Sequence, residues 1–207
     1  MEVRCQRDEQ QLVTAAQNGE QAAFEELVDA YQSMLFNAAY RILSDREAAA
    51  DAAQEALLSA YRALATFRGG SFKAWMLRIV TNASYDQLRR KQRRPTSSLE
   101  SLLVGPGAHR AFTDRTENPE SYVLRQDLGR TLQCGLDTLS LDQRTAIVLS
   151  DIHGLSYPEI AEIANVPVGT VKSRISRGRA RLRDYLLEQE GPALRRHLHP
   201  ERVPVVA

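Results

Sequence analysis

The chain has 207 residues, a formal net charge of +1, 43% hydrophobic residues and 26% charged residues, a composition typical of a folded, soluble protein. No apolar run approaches the roughly 18 residues of a membrane span, and the N-terminus lacks the apolar core of a secretory signal, so we expect a cytoplasmic protein without membrane insertion. Cys5 and Cys134 are far apart in sequence and predict neither a disulfide framework nor a zinc site.

The small net charge conceals a strong pattern. Residues 1–30 hold seven acids and two arginines, whereas residues 71–94 hold seven bases and one acid. Residues 172–183 hold six bases and no acid. Two separated basic segments behind an acidic front indicate two contacts with one polyanion.

The first 94 residues predict a module of helices. Apolar residues recur at three-to-four spacing over residues 9–41, where an Asn-Gly step marks a break between two helices. A third helix is predicted to begin at Ser44, because Glu47 follows it at the spacing of a capping box. An Arg-Gly-Gly turn ends that helix, and the helical pattern resumes over residues 72–94.

Residues 95–119 are rich in Pro, Gly, Ser and Thr without sustained periodicity, which predicts a flexible linker. Residues 120–187 predict a second helical module, with capping boxes beginning at Ser140 and Ser156. Its four predicted helices span about 120–137, 141–151, 157–164 and 168–187. Residues 188–207 are expected to form a flexible tail. The predicted fold class is therefore all-α, with an N-terminal helix bundle and a C-terminal helix-turn-helix bundle joined by the linker.

The last two predicted helices are joined by only three residues, Asn165 to Pro167, as in a helix-turn-helix motif. On the second of these helices, Val171, Ile175, Gly178 and Leu182 fall on one stripe, which we expect to be buried. Gly178 in that stripe is expected to allow a neighbouring helix to approach closely. The remaining side chains suit a DNA major groove, where arginine can bind guanine edges or phosphates. The candidate duplex-binding residues are Thr170, Lys172, Ser173, Arg174, Ser176, Arg177 and Arg181.

The segment "FRGGSFKAWMLRIVTNASYDQLRRKQRR" places aromatic residues beside basic ones, a combination that binds unstacked bases of single-stranded nucleic acid. The alternative is that the aromatic rings belong to the core of the helix bundle, which the i, i+3 spacing of Phe72 and Trp75 also suits. The aromatic residues are Phe67, Phe72, Trp75 and Tyr85.

Several ordered motifs resemble the extracytoplasmic-function (ECF) type of bacterial sigma factor over roughly residues 8–187. They include "AFEELVDAYQSMLFNAAYRIL", "FKAWMLRIVTNASYDQLRR" and "LDQRTAIVLSDIHGLSYPEIAEIANVPVGTVKSRISRGRARLR". The resemblance implies a promoter-specificity subunit of bacterial RNA polymerase, with residues 1–94 as region 2 and residues 120–187 as region 4. It also implies contacts with the β′ clamp helices and the β subunit of the core enzyme, and an anti-sigma factor as a further partner.

Within this resemblance, the helix "DREAAADAAQEALLSAYRAL" corresponds to the part that docks on the clamp helices. Four of its residues share one face by their spacing, namely Asp51, Gln54, Glu55 and Leu58. The "FRGGSF" loop and the following helix correspond to the part that captures a base flipped from the −10 element, and the helix-turn-helix corresponds to the part that binds duplex DNA at −35. The resemblance thus implies the −10 candidates Phe67, Phe72, Trp75, Arg78, Asn82, Arg89, Arg90 and Arg93. Many relatives carry one more residue in this loop, so the resemblance does not predict which base the shorter loop binds.

Two other classes of function fit the sequence less well. A polymerase-independent helix-turn-helix regulator would share the last module, but residues 44–94 resemble no ligand or phosphoacceptor pocket. An enzyme is not expected, because the sequence has no P-loop, no Gly-rich dinucleotide turn and no HExxH or Cys/His metal spacing. We therefore expect no catalytic residues, no cofactor and no metal site.

Overall fold

The computed structural model describes residues 8–93 and 119–189, and the side chains of residues 119–127 lie outside that description. Within these ranges every regular element is helical, which confirms the predicted all-α class. The chain divides into two compact units, Met1–Ser97 and Ser98–Ala207. Apart from their ends, the predicted linker and tail lie outside the described residues, as does Cys5. None of the described helices is both long enough and apolar enough to cross a membrane.

Over residues 8–93, the first unit contains four helices and a short 3₁₀ turn. They are α1 (Glu9–Gln17), α2 (Gln21–Leu43), α3 (Arg46–Ala63), the turn Leu64–Thr66 and α4 (Phe72–Arg93). The predicted break between α1 and α2 is confirmed, and Gly19 provides it with a φ of +92°. Helix α2 lies at the centre, because it packs against α1, α3 and α4.

The core of the first unit combines small residues on α3 with larger ones on its neighbours. Four alanines of α3 are completely buried, namely Ala49, Ala52, Ala56 and Ala60. Larger side chains on α2 and α4 are equally buried, including Leu35, Ile42, Leu77 and Val80. The alanine face lets α2 and α4 approach α3 closely, so the opposite face of α3 is held in place while it stays exposed.

The predicted start of α3 was wrong by one residue. Ser44 does not cap α3; it ends α2 in the left-handed conformation with a φ of +57°. Asp45 is the N-cap, and its side chain accepts hydrogen bonds of 3.1 Å from the backbone N–H groups of Glu47 and Ala48. An N-cap residue needs extended backbone, which Ser44 cannot adopt while it terminates the preceding helix.

The second unit contains α5 (Pro119–Asp137), α6 (Leu141–Ile147), α7 (Tyr157–Ala164) and α8 (Val168–Gln189). The helix predicted over 141–151 is interrupted, because a π-helical turn, Val148–Ile152, follows α6. The capping box of Ser156 is confirmed, since its N–H donates to the Glu159 carboxylate at 2.8 Å and its hydroxyl accepts from the Glu159 N–H. Ser140 is the N-cap of α6, but its side chain accepts no capping hydrogen bond, so that box was wrong.

Helix α8 packs against α5, α6 and α7 through the predicted stripe. Val171, Ile175 and Gly178 are buried and Leu182 is half-buried. A Cβ at Gly178 would lie 2.9 Å from Cγ1 of Ile147 on α6, closer than real contacts allow. The predicted close approach at Gly178 is therefore confirmed, and it fixes how α8 sits on the core of its unit.

Candidate nucleic-acid interface

The turn between α7 and α8 has the compact geometry of a helix-turn-helix. Asn165 adopts a φ of +51°, and the Val166 N–H donates to the Ala161 carbonyl at 3.1 Å. The Pro167 carbonyl accepts from the Thr170 N–H at 2.9 Å, which closes the first turn of α8. These hydrogen bonds order the turn and fix the orientation of α8 relative to α7.

The predicted duplex-binding residues fall into two groups. Lys172, Ser176, Arg177 and Arg181 are exposed, whereas Thr170, Ser173 and Arg174 are half-buried. The guanidinium of Arg177 donates to the Ser173 hydroxyl at 3.0 Å and to the Ser173 carbonyl at 3.3 Å. Guanidinium has five N–H donors, so these two bonds orient Arg177 and leave others for a partner.

Two arginines of α8 are paired with acids of its own unit. Arg174 forms an ion pair with Asp142 of α6 and is only 22% exposed. Arg179 binds Asp151 through two N–H donors, at 2.9 and 2.7 Å. Hydrogen bonding from Arg179, opposed by partial burial, lowers the pKa of Asp151, and the same pair raises the pKa of Arg179. These pairs tie α8 to the preceding helices, and the predicted DNA role of Arg174 stays a prediction.

In the first unit, the "FRGGSF" loop brings three aromatic rings together. The Phe67 ring lies 5.4 Å from that of Phe72 and 5.3 Å from that of Trp75. Phe72 is 2% exposed and its ring also meets the edge of the Tyr31 ring, so Phe72 belongs to the core. Phe67 and Trp75 are half-buried. The core alternative therefore applies to Phe72, while Phe67 and Trp75 keep part of their surface exposed.

The Tyr31 hydroxyl, beside Phe72, donates to the Glu9 carboxylate. Burial and this carboxylate raise the pKa of Tyr31, so the hydroxyl keeps its proton.

A recess of about 240 Å³ lies between the "FRGGSF" loop and α1. The residues around the recess are Glu9, Gln10, Val13, Thr14, Gln17, Phe67, Arg68, Gly69, Gly70 and Phe72. Half of this lining comes from α1, which sequence reasoning did not connect with the loop, because nothing in the spacing relates segments about 50 residues apart.

The remaining candidates of α4 lie on its surface. Arg78, Asn82, Arg89, Arg90 and Arg93 are all exposed. Arg89 pairs at 2.6 Å with Asp86 of the same helix, and Arg90 lies 3.7 Å from the Glu55 carboxylate on α3. Such exposed pairs contribute less than about 1 kcal/mol, so they leave these arginines available to a polyanion. The contact between Arg90 and Glu55 brings together two residues that the sequence assigned to different partners.

The predicted docking face of α3 is exposed as expected. Asp51, Gln54 and Glu55 are on the surface, and Leu58 is 53% exposed. Sequence reasoning missed Tyr61, which lies three residues further along the same helix and is 58% exposed. Its ring contacts the Phe24 ring edge-on, with centroids 4.9 Å apart. Two large apolar side chains one turn apart, beside carboxylates, form a surface suited to a protein partner.

Among the described residues, no group of three or more His, Cys, Asp or Glu side chains could hold a metal ion.

Comparisons with known proteins agree with this organisation. The family model described as Sigma-70 region 2 matches residues 27–94, and the one described as Sigma-70, region 4 matches residues 129–182. The RNA polymerase sigma-H factor of Pseudomonas aeruginosa is 41% identical over 178 residues, which cover 84% of this chain and 91% of that protein. The ECF RNA polymerase sigma-E factor of Escherichia coli K12 is 38% identical over 176 residues, covering 84% and 92%.

A solved structure has a similar fold: the sigma factor RpoE of Bartonella quintana, crystallised with the anti-sigma factor NepR. It is 28% identical, covers 81% of this chain and 98% of its own, and has a TM-score of 0.63. Both modules are thus matched in order, and the Pseudomonas and Escherichia relatives are covered to 91% and 92% of their length. The chain therefore belongs to the ECF-type sigma factors of the sigma-70 family.

Proposed function

We propose that the protein is a dissociable promoter-specificity subunit, which binds bacterial core RNA polymerase, directs it to −35 and −10 elements and helps to open the DNA. One observation carries the proposal: a single chain combines a helix-turn-helix with a separate recess bordered by Phe67, Phe72 and Arg68, at the start of a helix with an exposed basic surface. A duplex reader alone has little use for the second feature, whereas a protein that holds an opened strand needs it.

At the −35 element, α8 is proposed to enter the major groove with its exposed side. Arg177 is the candidate for a guanine contact, because Ser173 orients it and it keeps free donors. Lys172 and Arg181 are exposed and suited to phosphates. The half-buried Thr170 and Ser173, with Ser176 and Arg174, complete the proposed contact surface.

At the −10 element, the loop and α4 are proposed to hold the non-template strand. Phe67 and Trp75 offer ring surface on which a base can stack, and Phe72 supports them from the core. Arg78, Asn82, Arg89, Arg90 and Arg93 lie on the exposed surface of α4, where they can bind phosphates or a base edge. Flipping a base costs a few kcal/mol, which stacking and phosphate contacts offset.

The core enzyme is proposed to dock on the exposed face of α3. Asp51, Gln54 and Glu55 supply polar contacts, and Leu58 with Tyr61 supplies apolar area. The clamp helices of β′ are the proposed partner of this face, and the β subunit is proposed to contact the second unit. Since the Bartonella relative was crystallised with an anti-sigma factor, we propose that an anti-sigma factor also controls this protein.

The protein is proposed to have no catalytic activity of its own and to act where the polymerase acts, in the cytoplasm. A polymerase-independent regulator is not favoured, because such a protein would need neither the exposed face of α3 nor the recess beside the loop.

The test is open-complex formation on a promoter library, with core polymerase and with the protein alone. Strand opening that needs both components is expected, and the enriched sequences would give the −35 and −10 preferences. Asp51→Ala and Leu58→Ala should weaken binding to the core enzyme, whereas Asp29→Ala, on the exposed surface of α2, should not. Tight binding to duplex sites without any association with core polymerase would instead establish the free-standing regulator.

A further inference from the structure

We propose that Gln17, at the end of α1, is a positioning residue for the "FRGGSF" loop and thereby sets how well the recess captures a base. The inference rests on the proposed function, because it gives α1 a part in reading the −10 element.

The side-chain amide of Gln17 reaches across to the turn that precedes the loop. Its Nε2 donates to the carbonyl of Leu64 at 3.0 Å and to the carbonyl of Phe67 at 2.8 Å. These contacts span 47 and 50 residues of sequence. One amide group thus uses both of its N–H donors to hold two successive points of the backbone that leads into the loop.

The start of the loop is also held by a backbone bond from the Phe67 N–H to the Leu64 carbonyl at 3.1 Å, whereas its two glycines have open space around them. Gly69 and Gly70 have φ values of +96° and +90°, and nothing lies within 4 Å of where a Cβ on either would be. At the far end of the loop, the Ser71 hydroxyl accepts from the Ala74 N–H at 3.1 Å and anchors the start of α4. Gln17 therefore provides the matching anchor at the near end, and the glycines between the two anchors carry the bend.

The anchored backbone carries the ring that borders the recess. Phe67 is the residue whose carbonyl Gln17 binds, and its ring packs against Trp75 and Phe72. Gln17 itself lines the recess together with Phe67 and Arg68. Loss of the amide donors would remove one partner of the Phe67 carbonyl and loosen this backbone, so the ring and the recess would keep their geometry less well, and a base would have to order them on binding.

Helix α1 lies outside the residues matched by the region 2 family model, which begins at residue 27. The assignment therefore extends the base-reading device by a helix that the family match does not include.

The test compares Gln17→Glu and Gln17→Leu with the same changes at Gln21. Glutamate keeps the size of the side chain but cannot donate, and leucine removes the donors without adding charge. Gln21 is an exposed glutamine whose amide donates to the Glu25 carboxylate on its own helix, so its variants control for charge and for composition. Gln17 is also exposed, so its variants are expected to fold.

Three measurements are made on each full-length variant. Open-complex formation with core polymerase is followed on promoters that carry each of the four bases at every −10 position. The emission of Trp75, the only tryptophan, reports on the loop, because its ring lies 5.3 Å from that of Phe67. Binding to core polymerase and to duplex −35 DNA tests whether the rest of the protein is intact.

Both Gln17 variants are expected to lower open-complex formation by about tenfold, the size expected for the loss of one or two hydrogen bonds, and to flatten the preference at one −10 position. Trp75 emission should shift in both, while core binding, −35 binding and the Gln21 variants stay unchanged. Opening and emission equal to those of the Gln21 variants would overturn the inference, and so would a loss that extends to core or −35 binding. If the wild-type protein opened no promoter, the proposed function would fail, and the Trp75 emission would still decide whether Gln17 holds the loop.

Discussion

The candidate DNA surface of the second unit lies on one helix, whereas that of the first unit is assembled from α1, the loop and α4. In α8 the exposed residues and the buried stripe alternate at helical spacing, and Asp142 and Asp151 hold the helix from nearby elements. In the first unit, Gln17 and Phe67 are 50 residues apart and are joined by a hydrogen bond from the side-chain amide. A convex helix suffices to enter a duplex groove, but a concave recess for a single base needs walls from several elements.

This comparison predicts that the two surfaces fail independently. Trp75→Ala should reduce open-complex formation by up to about a hundredfold, since stacking contributes about 1–3 kcal/mol per base. Binding to duplex −35 DNA should stay unchanged. Trp75→Phe keeps a ring at the position and should recover most of the activity. Permanganate footprinting of the opened strand measures the effect, and an equal loss of −35 binding would contradict the separation of the two surfaces.

A change on α8 should have the opposite pattern. Arg177→Ala should weaken binding to the preferred −35 sequence by about tenfold and relax the choice of base at one position, because a bidentate arginine–guanine contact discriminates by about 1–3 kcal/mol. Arg179→Ala is the matched control, since Arg179 lies on the same helix, is outside the proposed contact surface and donates two hydrogen bonds to Asp151. Fluorescence anisotropy with a set of −35 duplexes measures both. Similar changes in base preference for the two variants would contradict the assignment.

The rigidity of α8 is tested at its two glycines. Gly178→Ala should destabilise the second unit by about 1–3 kcal/mol, because the new Cβ would press against Ile147 in a packed core. Gly169→Ala adds the same methyl group where nothing lies within 4 Å, and it should be neutral or stabilise by up to about 1 kcal/mol. Urea unfolding followed by circular dichroism separates the two variants, and equal midpoints would show that the close approach does not limit packing.

The smallest expected effect is a dependence on pH. The hydrogen bonds from Arg179 lower the pKa of Asp151 below the usual 3.8. The ion pair therefore contributes its full stabilisation above that pH and loses it as the pH falls below about 4. The change should be less than about 1 kcal/mol, because both side chains are accessible to solvent. Asp151→Asn should remove this part of the acid sensitivity. Thermal unfolding between pH 3 and 7 measures it, and an unchanged acid profile in the variant would contradict it.

Much of this organisation could be predicted from local spacing. The helix-turn-helix, the stripe of Val171 and Ile175, and the close approach at Gly178 all follow from a period of 3.6 residues, which the packing of α8 confirms. The error at Ser44 arose because the adjacent Asp45 is the N-cap and Ser44 ends the preceding helix. The error at Ser140 arose because this residue is the N-cap but its side chain accepts no capping hydrogen bond. Local propensity is a weak guide at such positions, because the neighbouring helix decides the backbone conformation.

By itself the sequence determined the helical class, the two modules and the identity of the basic and aromatic residues, because these depend on composition and on spacing within single helices. The family followed from the resemblance of its motifs. Only the tertiary structure decided that Arg174 and Arg179 are paired with acids, that Phe72 is core while Trp75 keeps exposed surface, and that α1 holds the loop. The physical reason is the sequence separation of the contacts involved. A helix forms through contacts three or four residues apart, whereas a recess depends on side chains that become neighbours only after the helices have packed.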